Sequence, residues 1–245
     1  RDLRSLRMTP AEVRAAFARS GWDRIVAFHT RNPPHRAHYE LTRRVAEEIG
    51  GHLLMHPVVG PTKAGDIDYV TRVRTVRALM PRYPEGQAML AITPLTMRMA
   101  GPREAVWNAI IRRNYGCSHY IVGRHHASPG WDHDGTPFYG PYDQQDLMRL
   151  HEPEVGVEMV PFPDMVYAPS LDGYVDAENL PQGLETRSIS GTELRRILAR
   201  GEEIPEWFIF PEVAAELRRS FPPRSRRPEA EGFLDGTSAS GRAGT

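Results

Sequence analysis

The stretch FHTRNPPHRAH, residues 28–38, places three histidines and two arginines directly behind an apolar run, RIVAF (24–28). His35 and His38 are three residues apart, the spacing that brings two side chains onto one face of a helix. If a strand ends at Phe28 and a helix begins near His35, both imidazoles fall in the first helical turn. There, free backbone N–H groups and the positive end of the dipole attract phosphate. Two imidazoles in that position can donate hydrogen bonds to a triphosphate and follow charge onto its leaving portion. Two other readings stay open at this level: a surface coincidence, or a metal pair whose further ligands come from distant residues.

The elements that would position this turn follow from the pattern on either side. RIVAF, HLLMHPVV (52–59), AMLAIT (88–93), HYIVG (119–123) and VEMVPF (157–162) are apolar runs of strand length. Between them lie the helical patterns HRAHYELTRRVAEEI, DYVTRVRTVRALM, PREAVWNAIIRRNYG and YDQQDLMRLH. This alternation predicts right-handed crossovers and a mostly parallel sheet covered on both faces, with ligands beyond the carboxyl ends of the strands. Ahead of the first strand, TPAE at Thr9 predicts a capping box and a helix start. A second capping box, Ser190 with Glu193, opens a helical stretch that ends in PEVAAELRRSF. The expected organisation is a catalytic domain over 1–187, a small C-terminal helical subdomain over 188–222, and linker or the start of a further domain over 223–245.

Composition narrows the partners. The 245 residues carry no formal net charge, so bulk electrostatic capture of nucleic acid or a membrane surface is not expected, and any anion is bound locally. Of the basic residues only Lys63 is lysine; arginine suits bidentate capture of oxyanions. A single cysteine, Cys117, excludes an internal disulfide framework and reads as structural. No apolar run has membrane-spanning length and RDLRSLRMTPAEV has no signal-peptide core, which points to the cytoplasm. Lys63 in GPTKAGD reads either as a loop contact near phosphate or as an exposed turn residue. Arg98 and Arg103 read either as anion-supporting residues or as helix-start ion pairs. Trp107, Tyr115, Trp207 and Phe208 read as core or domain-interface aromatics.

TRNPPHRAH resembles the TRNP-x-H-x-x-H motif of ATP sulfurylases, and the resemblance continues in order through VVGPTKAGDID, MRMAGPREAVWNAIIRRNYGCSHYIVGRHHASPG, FYGPYD and SISGTELRRILARGEEIPEWFIFPEV. It implies a Rossmann-like nucleotidyltransferase domain of α/β class. The implied reaction is ATP plus sulfate to adenosine 5'-phosphosulfate plus pyrophosphate, by in-line attack on the α-phosphate with Mg2+ carried by ATP. By the same resemblance, Arg31 holds sulfate, Thr30 and Asn32 orient phosphates, and His35 and His38 contact the triphosphate. Arg124 lies beside the nucleotide, His125 and His126 belong to the same binding loop, the Ala127 N–H donates to sulfate, and Met165 and Val166 line the adenine; no protein-bound metal is expected. The resemblance also implies a catalytic region lacking the PUA-like N-terminal domain of many members, an adenylylsulfate kinase as a fused or separate partner, and a homo-oligomer.

Three positions depart from the family pattern. The family carries glutamine, a sulfate ligand, at the place of His29, and reads GRDHAG where this chain reads GRHHAS, so His125 replaces aspartate and Ser128 replaces glycine. Exchanging a carboxylate for an imidazole raises the local potential and predicts tighter anion binding at lower pH. Serine in place of glycine predicts a shifted turn if that position needs positive φ. Besides sulfate adenylyltransfer, the sequence is compatible with adenylylation of another oxyanion, such as a phosphonate, or with a degenerate nucleotide-binding regulatory module. In the tail, GTSASGRA (236–243) has the glycine spacing of a phosphate-binding loop, with Arg242 and Ala243 where lysine and a hydroxyl residue belong. It reads as flexible tail or as the remnant of a kinase.

Overall fold

A computed structural model of the chain describes residues 3–63 and 65–221. The predicted alternation is present. Strands β1 (Ile25–Phe28), β2 (His52–Met55), β3 (Ala88–Leu90), β4 (His119–Gly123) and β5 (Glu158–Phe162) form one parallel sheet in the order β3-β2-β1-β4-β5. The helices are α1 (Pro10–Arg19), α2 (Arg36–Glu48), α3 (Tyr69–Leu79), α4 (Pro102–Asn114), α5 (Asp143–Val155), α6 (Gly191–Arg200) and α7 (Pro211–Ser220). No helix among the described residues is long and apolar enough to cross a membrane.

Period-two alternation splits the core between the two sheet faces. Val26, Phe28, Leu53 and Met55 turn to one face and pack with Leu41 and Val45 of α2, Val76 and Leu79 of α3, and the apolar stripes of α6 and α7. Ile25, Ala27, Leu54, Tyr120 and Val122 turn to the other, against α1, α4 and α5. This two-sided burial explains why the strands read as nearly continuous apolar runs. Residues 188–220, set apart in the sequence, join the first of these cores through Leu194, Ile197, Val213 and Leu217. The segment GTSASGRA lies outside the described residues.

Local chemistry sets the element ends. Thr9 and Glu12 form the reciprocal capping box. At α6 only half of the expected box forms: Ser190 Oγ accepts the Glu193 N–H (3.1 Å), while the Glu193 carboxylate pairs with Arg196 one turn on. The run 52–59 is a strand only to Met55, because Pro57 has no N–H for the ladder; pairing resumes at the Val58–Thr93 bridge. Helix α5 extends beyond the expected 142–151, through Pro153, and stops at Gly156 with φ +67°. Pro161 is tolerated in β5 because that strand is an edge. A hairpin that the sequence reading lacked, β6 (Met165–Ala168) with β7 (Gly173–Asp176), follows the sheet. Its signal was two short β-prone runs, MVYA and YVD, around an Asp-Gly pair.

Candidate functional site

Strands β1 and β4 are neighbours at the centre of the sheet, where the strand order reverses. Their carboxyl ends open into a cavity of about 400 Å³, the place where doubly wound folds bind nucleotides. The turn from β1 to α2 brings His29, Thr30, Arg31, Asn32, His35 and His38 to its wall. The loop after β4 brings Arg124, His125, His126 and Ala127. An adjoining cavity of about 290 Å³ shares His35 and His38 and is lined further by Met165, Tyr174, Trp207 and Phe208. Ten of the twelve expected site residues therefore meet in the first cavity and Met165 in the second, while Val166 lines neither.

His35 is the N-cap of α2, and His38 reaches back so that its Nδ1 accepts the His35 backbone N–H (3.2 Å). Accepting at Nδ1 leaves the proton of neutral His38 on Nε2, a donor. The two rings lie 3.7 Å apart and His35 stacks on Phe208. Burial lowers the pKa of His35 to about 4, and burial together with the neighbouring His35 holds that of His38 well below the ordinary imidazole value. Both are neutral at pH 7.

Arg31 does not stand free. Its Nη1 is held by Asp66 at 2.5 Å, with 30% of the arginine side chain but only 6% of the aspartate exposed. Asp66 in turn accepts the Lys63 N–H (3.1 Å). This orients the guanidinium fork and leaves its other N–H groups available. Arg124 pairs with Asp164 across the exposed mouth (2.9 Å). Thr30 Oγ1 accepts the Asn32 N–H (3.0 Å). Lys63 settles between its two readings by bridging loops: its Nζ donates to the Pro129 carbonyl (2.9 Å). Arg98 and Arg103 are exposed and line neither cavity.

The loop after β4 corrects two expectations. Ser128 has ordinary φ; the left-handed residues are His125 and Ala127, both at φ +51°. The Ser128 hydroxyl instead accepts the Gly130 N–H (3.1 Å), so serine fits there without strain. The second correction concerns charge. Burial first, then Arg112, His126, His56 and Arg72, hold His29 well below the normal range, and burial with Arg112 and Arg31 holds His126 at about 3. Burial also lowers His125, with Arg124 adding to the effect and Asp164 opposing it. The added imidazoles thus bring neutral hydrogen-bonding groups, not positive charge.

Sequence reasoning missed Asp66, Asp164, Tyr120 and two buried cations. Arg112 is fully buried, donating to Asn108 Oδ1 (2.7 Å) and the His56 carbonyl (3.3 Å); Arg72, 1% exposed, donates to the carbonyls of Arg31 (3.0 Å) and Val58 (3.2 Å). Among the described residues neither pairs with a carboxylate. Arg112 was detectable as a charge on the buried stripe of α4, three residues beyond Ala109. Cys117 is buried, and burial pushes its thiol up to about 12, in keeping with a structural role.

Residues 4–220 match the family described as ATP-sulfurylase. Similar curated proteins named sulfate adenylyltransferase include those of Chaetomium globosum (54% identical over 98% of this chain and 42% of that protein), Neurospora crassa (55%, 92% and 39%) and Schizosaccharomyces pombe (55%, 91% and 46%). The chain thus spans less than half the length of these relatives. A solved structure described as "Hexameric APS kinase from Thiobacillus denitrificans" superposes with a TM-score of 0.73 at 35% identity, over 91% of this chain and 41% of that one. With the histidine-bearing turn, the switch-point cavity and a match running from Arg4 to Ser220, the chain belongs to the ATP-sulfurylase family.

Proposed function

We propose that the cavity carries out sulfate adenylyltransfer, forming adenosine 5'-phosphosulfate and pyrophosphate from ATP and sulfate in the cytoplasm. The observation that carries this reading is the convergence of His35, His38, Arg31 and Arg124 on one switch-point cavity beside a second, aromatic one. A sulfate oxygen bonds to the α-phosphorus as the bond to the bridging oxygen of pyrophosphate breaks, so no covalent enzyme intermediate is needed. The chain's task is alignment and charge stabilisation.

Arg31, held by Asp66, presents its remaining N–H groups to sulfate. The Nε2–H of His38, with His35 beside it, donates to the triphosphate and strengthens as charge grows on the leaving pyrophosphate. Met165 and Trp207 offer the adenine an apolar bed. Magnesium enters as part of the nucleotide substrate, with phosphate oxygens and water as its ligands; Asp164, the one carboxylate among the described residues that line the cavity, is committed to Arg124. The likeness to a hexameric APS kinase supports a kinase that consumes the product, and a multi-subunit assembly, as partners of this chain.

The test is pyrophosphate release from Mg-ATP across sulfate, selenate, molybdate and small phosphonates, with His29→Gln/His125→Asp/Ser128→Gly alongside. Sulfate-dependent release by the natural sequence is expected. Silence with sulfate, restored in the triple variant, would instead assign the site to another oxyanion.

A further inference from the structure

His29 is 5% exposed and lines the cavity, and its Nε2 is enclosed with no partner among the described residues. Its other nitrogen is part of a chain. The Tyr120 hydroxyl lies 2.8 Å from His29 Nδ1 and 3.1 Å from His126 Nε2. Tyr120 itself is fully buried and does not line the cavity.

A hydroxyl has one proton, so Tyr120 donates to one imidazole and accepts from the other. With both imidazoles neutral, two arrangements exist. In one, Tyr120 donates to His29 Nδ1, His126 donates to Tyr120 from Nε2, and the proton of His29 sits on the enclosed Nε2. In the other, Tyr120 donates to His126, His29 donates to Tyr120 from Nδ1, and His29 Nε2 is a bare lone pair. Each arrangement holds three protons and the same charge. The surroundings keep the chain neutral: burial first, then Arg112, whose guanidinium is 5.5 Å from the Tyr120 ring, and Arg72 and Arg31 oppose a further proton. The nearby carboxylate of Glu104 is taken by the backbone N–H groups of Arg98 and Ala100 (2.9 Å each).

We propose that Tyr120 is a positioning residue that makes His29 an oxyanion donor: an oxyanion in the cavity selects the arrangement in which His29 carries its proton on Nε2. A lone pair would repel the anion, whereas an N–H aimed at it satisfies the enclosed atom. The inference rests on the proposed reaction only in taking the cavity's anion to be a substrate.

The test separates the two. In protein labelled with 15N-histidine, the ring-nitrogen shifts of His29, assigned by their loss in His29→Gln, are followed as sulfate is added with Mg2+ and a non-hydrolysable ATP analogue. The same titration is run with each oxyanion of the panel, so it needs no turnover. The expected complex shows His29 neutral with Nε2 protonated, and Tyr120→Phe shows a tautomer mixture. An imidazolium, an Nδ1–H tautomer, or no response to any oxyanion overturns the proposal. In turnover, Tyr120→Phe should raise the sulfate KM roughly tenfold at unchanged ATP KM, while the melting temperature falls by a similar amount in the natural and His29→Gln backgrounds because the buried imidazoles lose a partner. In the His29→Gln background, whose amide donates without help from Tyr120, the same change should leave the sulfate KM unaltered; equal effects on the sulfate KM in both backgrounds also overturn it.

Discussion

The turn from β1 to α2 and the loop from β4 to α5 leave adjacent parallel strands and together supply most of the cavity wall. The first is set mainly by neighbours in sequence. Pro33 and Pro34 restrict φ, Thr30 caps Asn32, His38 caps the helix start, and no residue from His29 to His35 has positive φ. The second is set from a distance. His125 and Ala127 are left-handed, and the loop is held by His125 N–H to the Pro141 carbonyl, Gly101 N–H to the Ala127 carbonyl (2.9 Å each) and Lys63 to Pro129. The first loop takes its shape mainly from its own residues, with Arg72 adding a hydrogen bond to the Arg31 carbonyl (3.0 Å); the second stores strain that the surrounding structure imposes.

Breaking the stiff side should cost most. Arg31→Ala removes the cation that Asp66 aims, and sulfate-dependent pyrophosphate release should fall by about two to three orders of magnitude, the scale of losing one preorganised charge-stabilising group. ATP binding, measured by calorimetry with the non-hydrolysable analogue, should be nearly unchanged. Undiminished turnover would take oxyanion capture away from Arg31.

Next in size is acid lability. His29, His35 and His38 on the first loop, and His126 on the second, are held neutral with lowered pKa values. The unfolded chain takes up protons near pH 6.5 while the native chain does not, so each group's contribution is complete above about 6.5 and declines as pH falls. For His35 the decline continues to about pH 4, at up to about 1.4 kcal/mol per pH unit. Urea unfolding at pH 7 and pH 5 checks this. His35→Gln should flatten the slope by about one proton; an unchanged slope would mean that His35 already titrates like the unfolded chain.

How much of this was legible follows the same division. The five strands, their mostly parallel arrangement and the His35–His38 pair could be read because alternation, capping and helical spacing are local rules. The other first-loop residues that line the cavity were supplied by the resemblance carried in the contiguous motif TRNPPHRAH. Asp66 is thirty-five residues from Arg31, and Arg112 and Tyr120 meet His29 only through the β1–β4 pairing, so no periodicity announces them. Ser128 escapes positive φ for a related reason: the φ of a loop held by Gly101 and Pro141 is decided by those contacts, and they put the left-handed turns one residue and three residues earlier.

The smallest effect is the sharpest probe of the contrast. A left-handed non-glycine residue costs about 1–2 kcal/mol, and glycine's extra freedom when unfolded returns about 0.5–1. For half-exposed His125, replacement by glycine should therefore stabilise the protein by up to about 1 kcal/mol. Ala127 buries its methyl against Val58 and Met97, a further loss of about 0.8 kcal/mol, so Ala127→Gly should come out near zero. Thr30→Gly, on the unstrained loop, forfeits the bond to Asn32 along with backbone stiffness and should destabilise by about 1–2 kcal/mol. Melting curves of the three variants should rank His125→Gly above Ala127→Gly above Thr30→Gly. If His125→Gly instead loses as much as Thr30→Gly, the left-handed turn is not under strain, and the two loops differ in length and partners but not in how their conformation is stabilised.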